Sequence, residues 1–168
     1  MTGTDPAQLA LDHLTRLGAE YEAMDCDPAL ADTAAFCAHY DVPLGHSANA
    51  IIVKRKRGEA RFGVVLVLAT HRVNNKAIRK LLETSKASFA SADETIEQTG
   101  MMIGGVTPFG LREDLPIWID AAVAALDWCI VGGGSRSLKL RIAPSVIADL
   151  PNAAVIEELA APFPAPAG

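Results

Sequence analysis

A glycine- and proline-rich segment in the second half of the chain has the composition of a ligand-binding loop. It runs Gly104-Gly105-Val106-Thr107-Pro108-Phe109-Gly110. Glycine lets a backbone approach a ligand closely and direct N–H groups at it, and proline stiffens the loop that holds those donors. Together with the Thr107 hydroxyl, such donors could bind a ligand or hold a water in place. The same residue types are also typical of a simple tight turn.

Three further polar residues lie where a side chain could take part in that chemistry. Asn49 begins a predicted strand and could donate a hydrogen bond to a substrate, or bond to a nearby loop instead. Asp120 could orient a water or a substrate amine, but capping a short helix from Ala121 is the favoured interpretation. His46 could accept or donate a proton as histidines do, yet no acidic residue lies beside it in the sequence to set its tautomer, which is more typical of a surface histidine.

One dense basic cluster stands out in a chain that is acidic as a whole. Lys54, Arg55, Lys56, Arg57 and Arg61 lie between two apolar runs, where a hairpin with a basic tip is expected. The formal net charge of −5 excludes a protein that coats nucleic acid by bulk attraction. The cluster is therefore either a solvated hairpin tip or a local contact for nucleic-acid phosphates.

Helix and strand signals alternate irregularly along the chain. Helices are predicted at 6–17, from 32 or 33 to about 40, after Asn74 to 82, after Ser91 to about 99, and from 144 to about 150. Strands are predicted at 19–24, 48–54, 61–69, 115–120, 128–131 and 137–142.

These elements predict one α+β domain, 1–168, with a mixed or barrel-like central sheet surrounded by helices and a core over about 8–150. The apolar run 61–69 suits a strand buried on both faces. In 137–142, apolar residues alternate with Lys139 and Arg141, which indicates a half-exposed strand. The proline- and alanine-rich segment 161–168 is expected to be a loose tail.

Composition excludes several classes of protein. Half of the residues are hydrophobic and 21% are charged, which suits a folded domain and not a disordered chain. Cys26, Cys37 and Cys129 are far apart, and neither they nor the four histidines have metal-ligand spacing, so no disulfide framework, metal or cofactor is expected. The N-terminus lacks signal-peptide features and no apolar stretch is long enough to cross a bilayer, so a cytoplasmic protein is expected.

Several segments, in this order along the chain, resemble the YbaK/prolyl-tRNA editing-domain family. The loop 104–110 is similar to that family's Gly-Gly-Val-Ser-Pro-Phe-Gly segment and is the most specific element of the match. The resemblance covers about residues 8–150 and implies a compact α/β fold whose cleft hydrolyses the ester between a wrong amino acid and the 3′ end of tRNA. The other matching segments are 21–33, 47–53, 72–76, 116–120 and 132–136.

The resemblance also implies which residues form the site. In the family the loop lies against the terminal adenosine and the aminoacyl group, so Gly105 and Thr107 are expected to act on the ester together with Asn49 and Lys139. The basic cluster is expected to contact mischarged tRNA, and an aminoacyl-tRNA synthetase is a second candidate partner. The expected substrate-binding residues are Tyr21, His46, Gly104, Val106, Pro108, Phe109, Gly110 and Asp120.

One position departs from the family pattern. The family usually has a lysine where this chain has Asn49, and that lysine is important for activity. Asparagine cannot supply a fixed positive charge to a phosphate or a developing oxyanion. Lys54 lies five residues further on, on the opposite face of an ideal strand, and cannot simply replace it. We therefore predict that Lys139 reaches the cleft and compensates for Asn49.

The sequence leaves functions of different classes open. The leading interpretation is a free-standing deacylase of misacylated tRNA. The second is a module that kept the pocket but lost the catalytic lysine, and that binds tRNA or a synthetase without turnover. A hydrolase for another small activated ester is a third.

Overall fold

The computed structural model describes residues 5–164, and within that range the chain forms six α-helices and ten β-strands. The helices are α1 (Pro6–Leu17), α2 (Thr33–Tyr40), α3 (Asn75–Leu81), α4 (Ala92–Thr99), α5 (Ala121–Ala124) and α6 (Pro144–Ala148). The strands are β1 (Tyr21–Asp25), β2 (Ala48–Arg55), β3 (Phe62–Leu68), β4 (His71–Val73), β5 (Ala87–Phe89), β6 (Ile117–Asp120), β7 (Cys129–Gly132), β8 (Leu138–Ile142), β9 (Ala153–Ile156) and β10 (Ala160–Pro162).

The strands form a mixed five-stranded sheet and two smaller sheets. The order in the large sheet is β5-β2-β3-β6-β9, antiparallel from β5 to β3 and parallel from β3 to β9. A three-stranded antiparallel sheet has the order β1-β8-β7, and β10 pairs with β4. A parallel bridge between Ser47 and Ile130 connects the start of β2 with β7. The predicted α+β domain with a mixed central sheet is confirmed.

Strand β3 is the middle strand of the large sheet and is covered on both faces. Val64 and Leu66 pack into the main core, where Leu14 of α1 and Phe109 also lie. Val65 and Val67 face a second apolar cluster, to which α3 contributes. Aliphatic residues at consecutive positions are expected in a strand buried on each side, so the interpretation of the 61–69 run is confirmed.

Capping residues determine several helix ends. The Asn74 side chain accepts hydrogen bonds from the backbone N–H groups of Lys76 and Ala77 at the start of α3. Ser91 and Glu94 form a reciprocal capping box on α4. Each such cap stabilises a helix by about 1 kcal/mol relative to alanine, which is why these sequence signals locate the helix starts correctly.

The C-terminal part of the fold is more ordered than the sequence indicates. The segment 161–168 was expected to be loose, but Ala161 and Pro162 belong to β10, which pairs with β4. Strand β9 (Ala153–Ile156) extends the large sheet beyond the predicted core limit near 150. Residues 165–168 lie outside the described range. None of the described helices combines the length and the apolar composition needed to cross a membrane.

Helix α1 holds the end of the 104–110 loop. The Nδ1 atom of His13 accepts a hydrogen bond from the backbone N–H of Gly110 at 2.8 Å, and the His13 ring meets the buried ring of Phe109 edge-on. Burial lowers the pKa of His13 below its ordinary value of 6.5, Arg16 lowers it further, and Glu113 partly opposes the shift. The neutral ring is therefore favoured in the folded protein, which is the form that can accept from Gly110.

We predict that acidification weakens the fold partly through His13. The unfolded chain binds the proton more tightly, so this contribution is complete above about pH 6.5 and is lost as the pH falls through the lower, folded-state pKa. Chemical denaturation at a series of pH values should show that His13→Asn loses less unfolding free energy on acidification than the wild type does. The amide oxygen of asparagine can accept from Gly110 at any pH. Equal losses in the two proteins would contradict this role of His13.

Candidate functional site

A cavity of about 230 Å³ lies between the 104–110 loop, the start of β2, the start of α2, and strands β7 and β8. Its polar lining residues are Asp32, Thr33, Ser47, Asn49 and Lys139. Its apolar lining residues are Ala31, Ala48, Ala50, Ile51, Ile103, Val106, Ile130 and Val131, with Gly104 and Gly132 between them. An opening with a few polar groups on apolar walls is typical of a small-molecule or ester-binding site.

Strand pairing brings the polar residues together from distant parts of the chain. Asn49 lies opposite Val67 in the β2–β3 pair, and Lys139 lies opposite Gly132 in the β7–β8 pair. The bridge from Ser47 joins the two sheets at the cavity. The cavity therefore depends on contacts between residues far apart in sequence, and no local motif contains it.

Two glycine-rich segments contact each other backbone to backbone on one side of the cavity. The N–H of Gly134 donates to the carbonyl of Gly105 at 2.8 Å, and a Cβ atom on Gly132 would overlap the carbonyl oxygen of Val106. A Cβ atom on Gly105 would lie 2.7 Å from the carbonyl carbon of Ser135. Glycine is thus required at this contact because the two backbones leave no room for a side chain.

Lys139 is the one cation that lines the cavity among the described residues. Only 7% of the residue is exposed, and its Nζ donates to the carbonyl oxygens of Ala31 at 2.8 Å and Gly104 at 2.9 Å. The ammonium also lies 5.4 Å from the ring centroid of Phe36. An ammonium has three N–H donors, so two carbonyls leave one donor for a ligand.

The position of Lys139 agrees with one prediction and corrects another. The half-exposed pattern assigned to 137–142 is wrong at this residue, because the sheet turns Lys139 toward the loop and α2 while Arg141 stays exposed. The side chain does reach the cavity that Asn49 lines, as predicted. Its part in catalysis stays a prediction.

Burial also changes the chemistry of this amine. It lowers the pKa of Lys139 below its ordinary value of 10.5, because the charged form loses water on burial. Neighbouring Cys26 and Asp32 oppose the shift, and Arg136 adds to it. The result is a cation whose charge is poorly screened and whose proton is held less tightly than that of a surface lysine.

Asn49 is bonded to the start of α2. Its Oδ1 accepts a hydrogen bond from the Thr33 hydroxyl, which orients the amide and leaves its NH₂ group as a donor. The alternative interpretation of Asn49 expected a hydrogen bond to a nearby loop, and the bond observed is to the first residue of α2 instead. Asn49 also lines the cavity.

Most of the 104–110 loop points away from the cavity. Gly104 and Val106 line it, whereas Thr107, Pro108 and Phe109 are buried on the other side of the loop and do not. The Thr107 hydroxyl is fully enclosed with no hydrogen-bond partner within 5–164, so the expected contact of Thr107 with a substrate has no geometric basis. Gly105 donates its N–H to Met102 and accepts from Gly134, so its backbone is already engaged, and Gly110 is bonded to His13.

Three other expected substrate-binding residues also lie outside the cavity lining. The His46 ring stacks on Trp128, with centroids 4.0 Å apart, and its Nδ1 bonds to the Trp128 carbonyl. Tyr21 is an exposed residue of β1 that pairs with Ile142. Asp120 occupies the N-cap position of α5 without capping it, because its Oδ1 accepts from the backbone N–H of Ala160.

Arg136 is a site residue that the sequence interpretation did not single out. Its guanidinium donates to the carbonyls of Pro28 and Ile103 and forms an ion pair with Asp32 at 3.2 Å. It therefore ties the segment before α2 to the loop beside the cavity. The only sequence signal is its place directly after the glycine-rich turn, at the end of the 132–136 match.

The basic hairpin is partly neutralised. Lys54 pairs with Glu94 at 2.7 Å, while Arg55 and Arg61 lie near Glu83. Lys56 and Arg57 remain exposed at the end of the hairpin. Seven residues at about 3.3 Å each separate Asn49 from Lys56, so the hairpin end lies roughly 23 Å from the cavity.

Among residues 5–164, no group of three or more histidine, cysteine, aspartate or glutamate side chains is arranged to hold a metal ion. The polar side chains of the cavity are the Lys139 ammonium, the Asn49 amide, the Asp32 carboxylate and the hydroxyl groups of Thr33 and Ser47.

Known proteins resemble this chain in sequence and in fold. It is 39% identical to a proline–tRNA ligase of Bacillus licheniformis over 42% of this chain and 12% of the ligase. It is 32% identical to YwhH of Bacillus subtilis, described as uncharacterized, over 55% of this chain and 59% of that protein. The matches thus span less than two thirds of either relative.

A solved structure of a candidate trans-editing enzyme for prolyl tRNA synthetase has the same fold. It superimposes with a TM-score of 0.77 and 19% identity, covering 93% of this chain and 98% of the other. The sequence profile of the family described as the aminoacyl-tRNA editing domain matches residues 27–150, which contain every residue that lines the cavity. Because this match covers well over half of the chain, the chain belongs to the aminoacyl-tRNA editing domain family.

Proposed function

We propose that this protein is a free-standing deacylase that hydrolyses the ester of misacylated tRNA in the cytoplasm. The observation that carries the proposal is the buried ammonium of Lys139 in the same cavity as Asn49, where the family usually has its lysine. The cation is present at the site but comes from β8 instead of β2. The 3′-terminal aminoacyl ester is the substrate that the family's description suggests.

Ester hydrolysis needs help mainly where negative charge develops. When water attacks the ester carbonyl, the oxygen becomes an oxyanion, and donors already fixed around it lower the barrier. Lys139 has one N–H beyond those bonded to Ala31 and Gly104, and its side chain is buried, so solvent screens its charge only weakly. Lys139 is therefore the main candidate to stabilise the oxyanion.

Asn49 and the loop backbone can supply further donors. With its oxygen accepting from Thr33, the Asn49 amide presents NH₂ to a substrate or to the attacking water. The backbone N–H groups of Gly104 and Val106 donate to no other described residue, and both residues line the cavity. We assign these groups the roles that the family resemblance implied for Thr107 and Gly105.

The apolar part of the cavity would hold the amino-acid side chain. Ile51, Ile103 and Ile130 line it, and the volume of about 230 Å³ limits how large an aminoacyl group can enter. Hydrophobic pockets discriminate weakly among small side chains, so size exclusion is expected to set the choice. The relatives include proline–tRNA ligases. The first substrates to examine are therefore tRNAs mischarged by such a synthetase, and the first partner to examine is the synthetase itself.

The proposal predicts a specific order of effects on activity. Purified protein would be mixed in excess with a panel of mischarged tRNAs, and the loss of ester-linked amino acid would be followed in single turnovers. Removing a main oxyanion donor costs about a hundredfold in rate, so Lys139→Gln, which keeps an amide for the two carbonyls, should lose about that factor. Asn49→Ala should lose less, and Thr107→Val should stay close to wild type because its hydroxyl is enclosed.

Arg112→Gln serves as the control, because Arg112 pairs with Asp114 and does not line the cavity, so the change removes one cation without altering the site. Melting curves of all four variants would separate lost chemistry from lost folding. No acceleration by wild type on any mischarged tRNA would overturn the deacylase proposal. Retained tRNA affinity in that case would support a binding module.

The state of the Lys139 amine can be observed directly. The chain has six lysines, and in ¹³C-lysine-labelled protein the ε-carbon shift of each reports its protonation. We predict that one lysine loses its proton at a lower pH than the other five, because burial lowers the pKa of Lys139 below 10.5. The signal should be absent in Lys139→Gln, and six similar titrations in the wild type would contradict a buried cation in the cavity.

A further inference from the structure

Positive charge is concentrated in one continuous segment of this acidic protein. Ten of the 15 lysine and arginine residues lie between positions 54 and 86, together with only two of the 20 acidic residues. That segment carries a formal charge of +8, while the remainder of the chain carries −13. The molecule therefore has one positively charged region, while its net charge is negative.

The two acidic residues of the segment do not neutralise its exposed face. Glu83 lies beside Arg55 and Arg61, and Glu59 forms no ion pair among residues 5–164. From outside the segment, Glu94 of α4 pairs with Lys54. No ion pair within residues 5–164 involves the six cations that are left exposed, which we call the cationic strip. The strip consists of Lys56, Arg57, Arg72, Lys76, Lys80 and Lys86.

The fold places the strip on the outside of the layer that covers the large sheet. Helix α3 packs Ile78 and its C-terminal neighbour Leu82 against Val65 and Val67 of β3. Lys76 and Lys80 are four residues apart and exposed, so they lie together on the opposite face of that helix. Two like charges at this spacing destabilise an isolated helix slightly. The stability of α3 therefore does not explain why both positions are lysine.

Backbone contacts connect the strip from the hairpin end to the cavity end. Lys56 donates its N–H to the carbonyl of Lys86 at 2.9 Å, which brings the hairpin beside the segment after α3. At the other end, Arg72 of β4 comes three residues after Ala69, whose N–H donates to the carbonyl of Ser47 at the cavity. The strip therefore runs along β2 and β3, over roughly 20 Å by strand geometry.

We propose that the cationic strip binds the phosphate backbone of the tRNA whose 3′ end enters the cavity. This inference rests on the proposed function and adds a second, separate contact surface to it. A row of unpaired lysine and arginine residues suits a polyanion, since each phosphate that it neutralises releases bound counterions. The rest of the molecule, at −13, repels that polyanion and so orients it on this one face.

The salt dependence of binding tests the strip. Deacylated bacterial tRNA would be titrated with wild type, with Lys76→Gln/Lys80→Gln, and with the charge-matched control Arg16→Gln/Arg112→Gln. Each lost phosphate contact lowers the slope of log affinity against log salt by about 0.9, so wild-type affinity should fall roughly tenfold more than that of the strip variant between about 50 and 200 mM salt. The control should behave like wild type.

A short substrate separates this inference from the deacylase proposal. A 3′-aminoacylated adenosine fits the cavity end and carries no phosphate for the strip, so the strip variant should hydrolyse it as wild type does while losing rate on dilute full-length tRNA. If no protein hydrolyses either substrate, the deacylase proposal fails, and the tRNA titration still decides the strip. Equal salt slopes and affinities for the strip variant and the control, with equal melting temperatures, would overturn the proposal.

Discussion

The cavity depends on a cation removed from water. Burying an ammonium is costly unless strong hydrogen bonds replace its hydration, and here the carbonyls of Ala31 and Gly104 supply them. These carbonyls come from the approach to α2 and from the 104–110 loop, and the lysine itself comes from β8. One charged group thus connects three of the elements around the cavity. The amine that is proposed to stabilise the oxyanion is also the one that holds the cavity walls together.

Around that cation the walls are built from backbone as much as from side chains. The segments at 104–106 and 132–134 lie so close that side chains would not fit between them, and Arg136 adds donors to two carbonyls beside the same loop. A site held by backbone contacts moves little when a ligand enters, and its N–H groups are already in position. The glycines therefore contribute to rigidity at this contact, although glycine alone makes a chain more flexible.

The sequence was sufficient for most of the helices, for the longer strands and for part of the site, but the short strands β4, β5, β9 and β10 were not predicted. Caps at Asn74 and Ser91, and the apolar run of β3, are local signals, so local physics located them. The absence of a lysine at Asn49 led to the prediction that Lys139 reaches the cavity, and that position is confirmed, while a catalytic role for Lys139 stays a prediction. Thr107 was misplaced because the side of a loop that faces a cavity depends on packing against distant residues. The sequence predicted more unpaired positive charge on the hairpin than the structure has. Lys54 is neutralised by Glu94 of α4, which is distant in sequence.

The two unusual positions, Asn49 and Lys139, explain each other. A lysine at 49 would place a second ammonium in a cavity that already holds one, and like charges with little water between them raise the energy of both. It would also leave the Thr33 hydroxyl without the acceptor that the Asn49 oxygen provides. With the cation on β8, a neutral residue at 49 that both accepts from α2 and donates into the cavity is the better complement. The asparagine therefore fits a cavity whose positive charge comes from a different strand, and the lack of a lysine at 49 does not leave the cavity without a cation.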